Sequence, residues 1–113
     1  ICTGTTTVKI SEILNSSESE TIDLLSIFKL KPLPLKKILD VISEYKSILV
    51  IEEHNEILGL FSILLSYLNN KIHKSIKISS MGINEKMIYN YNKRYFNLKK
   101  IGLNIEEILK RFN

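Results

Sequence analysis

Apolar positions recur along the chain at two alternating periods, and that alternation predicts the architecture. Ile1 to Thr3 reads as the end of a β-strand, and Gly4 to Thr7 as a turn of small residues. Val8 to Asn15 then places Ile10, Ile13 and Leu14 at helical spacing. A polar connection follows from Asn15 to Glu20. Thr21 to Leu30 has the apolar centre of a strand buried on both faces. Pro32 and Pro34 interrupt regular structure, and Pro34 suits the start of a helix, where a missing N–H costs nothing. Leu35, Ile38, Leu39 and Ile42 form the apolar stripe of that helix.

Ser47 to Ile51 is the clearest strand pattern, and it ends abruptly in Glu52, Glu53, His54 and Asn55. Ile57, Leu60, Phe61, Leu64, Leu65 and Leu68 predict a helix over Glu56 to Asn69. Ser75 to Ser79 alternates as a further strand. Leu98 to Ile101 closes a helix at Gly102, and Asn104 with Glu107 supplies an N-x-x-E start for a last helix. Strand and helix alternate throughout, which predicts an open three-layer α/β domain with helices on both faces of a mostly parallel sheet. Working groups in such sheets lie beyond the carboxyl ends of the strands. Three segments fall there: Gly4 to Thr7, Lys31 to Pro34, and Glu52 to Asn55.

A length of 113 residues fits one domain spanning residues 1–113. An apolar fraction of 44% and a charged fraction of 25% exclude a disordered tail, a collagen-like rod and a disulfide scaffold. The net charge of +4 is unevenly spread. Residues 1–62 carry six lysines against nine acids, whereas residues 63–113 carry ten basic residues against three acids. The basic residues are scattered among Asn and Ile, which reads as a solvated surface rather than a nucleic-acid patch. Cys2 is the only cysteine, so no internal disulfide forms, and a reducing cytoplasm is expected. The longest uncharged stretch, Ile57 to Asn70, has 14 residues. A membrane helix needs about 20. The chain opens without Met and within what reads as a strand, so a place inside a longer polypeptide is expected.

Glu52-Glu53-His54-Asn55 is the most reactive-looking segment. Two carboxylates beside an imidazole suit proton transfer or metal binding. Alternation on an extended segment puts Glu52 and His54 on one side and Glu53 on the other. His73 is the only other histidine, and no H-E-x-x-H spacing exists. The plainer reading is a polar strand end whose carboxylates bond to loop backbone or to a partner surface. Gly4-Thr5-Thr6-Thr7 has N–H groups and hydroxyls that suit an anion at a helix start. The plainer reading there is capping by a Thr hydroxyl. Tyr89, Tyr91, Tyr95 and Phe96 surround Lys93 and Arg94, either to stack bases or to pack one helix face. Ser26, Ser62 and Ser66 lack the glycines of a nucleophile elbow.

Several segments, in order, resemble the C-terminal domain of the transketolase family of thiamine-diphosphate enzymes. ICTGT is similar to the family's strand ending in A-T-G. LLSIFKLKPL is similar to its second strand, which runs into (I/L)-K-P-L, here Leu30, Lys31, Pro32 and Leu33. ILVIEEHNEILGLFS resembles its V-x-E-E-H-N-x-x-G-G-L-G-S segment, and LKKIGLNIEEILK its closing helix. Of the three glycines in G-G-L-G-S only Gly59 remains; Leu58 and Phe61 replace the others, and Pro34 stands where Asp is usual.

The resemblance implies an open α/β fold with one antiparallel edge strand. It also implies a parent enzyme that transfers two-carbon ketol units, or makes a related C–C bond, using thiamine diphosphate and a divalent cation, both held by other domains. Glu-Glu-His-Asn with Lys-Pro-Leu leans towards transketolase-like members, including split ones with a separate C-terminal subunit. No catalytic, cofactor-binding or metal residue is then expected here, but a structural and assembly role is. The implied partners are other domains or a subunit of the same enzyme, in a homodimer, with neither membrane nor nucleic acid. Gly4, Thr5, Thr6, Glu52, Glu53, His54, Asn55, Gly59 and Ser62 are the candidates for an interface or anion site. Leu58 and Phe61 are candidates for an apolar docking patch. The competing class is a stand-alone anion-binding or protein-interaction module without catalysis.

Overall fold

A computed structural model describes residues 1–16, 21–55, 58–71, 76–83, 102 and 104–112. The elements run β1 (Cys2–Thr3), α1 (Gly4–Ser16), β2 (Ser26–Ile27), α2 (Leu35–Ile42), β3 (Ser47–Asn55), α3 (Leu60–Lys71), β4 (Lys77–Ile83) and α4 (Ile105–Phe112). The sheet order is β2-β1-β3-β4, and every pairing between these strands is parallel. No antiparallel edge strand occurs among the described residues.

Alternation along β3 builds the two cores. Leu49 and Ile51 face α1 and α4, where they join Cys2, Ile10, Met81 and Ile108. Ile48 and Val50 face α2 and α3, where they join Ile27, Ile38, Ile42, Leu60, Leu64 and Leu68. The expected three-layer arrangement is the one observed. Burying a side chain such as Leu64 or Ile108 contributes roughly 1.5–3 kcal/mol, so the two cores dominate the stability.

Several predicted boundaries are corrected. The turn expected over Gly4 to Thr7 is absent, because α1 begins at Gly4 itself. Gly4 has a φ of 54°, a left-handed conformation open to glycine, and reverses the chain within one residue. The strand expected over Thr21 to Leu30 pairs only at Ser26 and Ile27. Among the described residues its only neighbour is β1, which offers just Cys2 and Thr3 as partners, and Phe28 and Leu30 beyond them are exposed. β3 does not stop at Ile51 but continues through Asn55, with a register irregularity after Ile51. β4 runs on to Ile83 along this longer partner. α3 starts at Leu60 rather than Glu56. The helix expected to close at Ile101 lies outside the described residues, as do the Tyr89–Phe96 cluster, His73, Lys74, Lys86, Lys93, Arg94, Lys99 and Lys100.

The start of α4 is as expected. Asn104 Oδ1 accepts from the Glu107 N–H at 3.0 Å. The Glu107 carboxylate does not complete the reciprocal bond of a capping box. It binds Lys110 at 2.6 Å, while the Asn104 N–H donates to Gly102 O at 2.7 Å.

Candidate functional site

Among the described residues, three connections to helices leave the carboxyl edge of the sheet, and the expected site residues divide among them. The alternation that builds the cores continues past Ile51. Glu52 falls on the α3 side and Glu53 on the α1 side, so the two carboxylates do not form a pair.

Glu52 is 1% exposed. Its Oε1 accepts the Leu60 N–H at 2.6 Å and its Oε2 the Phe61 N–H at 3.1 Å. A helix start leaves its first N–H groups without intrahelical partners, and a buried carboxylate there gains both hydrogen bonds and the favourable end of the helix dipole. Glu52 is therefore an internal cap delivered from a neighbouring strand. This accounts for a glycine at position 59. A Cβ on Gly59 would lie 2.6 Å from both carboxylate oxygens. The demand is for space, in contrast to Gly4, where no atom stands within 4 Å of the same position and the demand is for φ.

Leu58, where the family resemblance has a glycine, adopts a φ of 68° with its side chain 88% exposed. Its N–H donates to Ser62 Oγ at 3.1 Å, so Ser62 also serves the helix start. Phe61 is half-buried and packs against the α2–α3 core. The two apolar replacements thus differ: Phe61 belongs to the edge of the core, and only Leu58 projects.

Glu53 Oε1 accepts from the Thr6 hydroxyl at 3.0 Å, tying the end of β3 to the first turn of α1. Thr6 is buried and Thr5 exposed, while the Thr7 and Ser26 hydroxyls meet at 2.9 Å and link α1 to β2. The Thr hydroxyls therefore bond across to the strands. The backbone of His54 and Asn55 belongs to β3; the side chains of both lie outside the description. Among the described residues, no group of three or more His, Cys, Asp or Glu could hold a metal ion.

The third connection, from β2 to α2, is open. Phe28 is 93% exposed and Leu30 43%. Pro34 precedes α2 and makes no side-chain bond to its N–H groups.

Two features lie away from this edge. Cys2 is fully buried, and burial pushes its thiol pKa up, so it is a packing residue rather than a nucleophile. At the opposite edge a cavity of about 530 Å³ is lined by Ile22, Leu24, Leu25, Tyr45, Leu109 and Phe112 among others. There the Tyr45 hydroxyl donates to Asp23 at 2.7 Å, a bond that raises the phenol pKa. Sequence periodicity gives no sign of this cavity, because its walls come from four separate segments.

The fold is similar to that of a split-gene transketolase solved as an inactive beta4 tetramer, with a TM-score of 0.78 and 22% identity. The likeness covers 97% of this chain and 36% of that one, so the chain spans about a third of the transketolase's length. No protein-family model matches the chain, and no curated protein does. The expected α/β architecture, and the likeness to a transketolase-type domain, rest on this shared fold. No helix among the described residues is long and apolar enough to cross a membrane.

Proposed function

We propose that the chain is a C-terminal structural and assembly domain of a thiamine-diphosphate-dependent, transketolase-like enzyme. The parent enzyme transfers two-carbon ketol units, and this domain contributes packing rather than chemistry. The observation that carries the reading is the extent of the likeness, 97% of the chain at a TM-score of 0.78. The ordered sequence segments lend it independent support.

Thiamine diphosphate, with its divalent cation, supplies the carbanion chemistry of such enzymes. The described residues do not fit either group. Glu52 and Glu53 are committed to helix starts, and the N-terminal N–H groups of α3 already hold a carboxylate. No catalytic step is assigned to this chain. The cofactor belongs to other domains or to a partner subunit, within a cytoplasmic, dimeric enzyme. Glu52 also weighs against the competing reading of a free-standing anion-binding module, since the clearest anion position is filled from within.

Purification of the tagged chain from its source cell under native conditions tests the proposal. The expected product contains thiamine diphosphate and transfers two-carbon ketol units, with the cofactor either on the same polypeptide or on a co-purifying one. A chain that runs alone at 13.1 kDa, without cofactor or partner, contradicts it.

A further inference from the structure

The β2–α2 connection breaks three local rules at once. Between Asp23 and Asp40 the chain carries Lys29, Lys31, Lys36 and Lys37 and no acid. All four are exposed, and none forms an ion pair with another described residue. Lys36 and Lys37 occupy the first turn of α2, where the helix dipole is already positive and an acid would be favourable. Phe28, beside them in sequence, gives up nearly all of its burial energy at 93% exposure. Local rules broken without compensation inside a chain mark surfaces that serve something outside it.

We propose that Phe28, Lys29, Leu30, Lys31, Lys36 and Lys37 form a docking surface for an acid-rich protein surface with an apolar recess for the Phe28 ring. For the identity of the partner, another domain or subunit of the same enzyme, this rests on the function proposed above. The phenyl ring supplies the anchor and the lysines the steering and register. The exposed Phe28 ring among four lysines without ion-pair partners among the described residues calls for acids around an apolar recess, which a folded protein surface supplies.

Photo-cross-linking in the source cell tests this, with benzoylphenylalanine incorporated in place of Phe28 in the full protein. Cross-links are expected in an Asp- and Glu-rich segment of another domain or polypeptide. Their yield should fall about tenfold when Lys29→Glu and Lys31→Glu are added. All three positions are exposed, and an unchanged urea midpoint checks that the variants fold; the cross-link at position 28 stands as a test without them. Cross-links only within residues 1–113, to a second copy, to lipid or nucleic acid, or to a surface without acids overturn the inference, as does their absence. An acid-rich partner free of thiamine diphosphate supports the docking surface and sinks the transketolase reading. A thiamine-bearing complex without the cross-link does the reverse.

Discussion

The β3–α3 and β2–α2 connections both leave the carboxyl edge of one sheet, yet they meet the same physical problem in opposite ways. At β3–α3 the unpaired N–H groups of the helix receive a buried carboxylate from the preceding strand, and Gly59 makes the room for it. At β2–α2 the helix start has no side-chain cap, gains two lysines, and is preceded by an exposed phenyl ring. One junction is satisfied within the chain. The other is complete only with something brought to it. Position in the fold therefore does not decide which loop serves function; the balance of local charge and burial does.

The sharpest way to break this contrast is Gly59→Ala. Its Cβ must displace the Glu52 carboxylate, so a loss of about 2–4 kcal/mol in urea unfolding is expected. In a Glu52→Ala background most of that added cost should disappear, because the clash is with Glu52 itself; an undiminished cost would show the collision lies elsewhere. Glu52→Gln comes next, at about 1–2 kcal/mol, since an amide can accept only one of the two backbone bonds. A neutral result would remove Glu52 from its capping role.

Leu58→Gly sharpens the comparison from the other side. Releasing a leucine from the left-handed region should raise stability by up to about 1 kcal/mol, partly offset by backbone entropy. The smallest effect expected is that of Lys36→Glu with Lys37→Glu. Placing acids in the first turn of α2 should stabilise the folded chain by a few tenths of a kcal/mol while weakening assembly. Equal losses in both would place the lysines in the fold rather than in docking.

Much of this was legible in the sequence, for identifiable reasons. Period-two alternation through Ile48 to Ile51 set both core faces, and its continuation separated Glu52 from Glu53. Asn104, three residues before Glu107, marked the start of α4 correctly. The lengths of β1 and β2 were not legible, because apolar composition does not say how many residues a neighbouring strand offers for pairing. The start of α1 was missed because three consecutive threonines read as turn chemistry, whereas Gly4 alone makes the reversal. Burial of Glu52 was hidden by its charge. The available signal was the absence of any Ser, Thr, Asp or Asn just before Leu60, which leaves the first N–H groups of α3 open to an acceptor from elsewhere.

Amide hydrogen exchange on the native complex, compared with the same chain freed of its partners, tests the contrast most directly. The account predicts that residues 28–37 gain protection in the complex, while the amides of Leu60 and Phe61 are equally protected in both. Protection that changes at Leu60 and Phe61 and stays constant over residues 28–37 would contradict it.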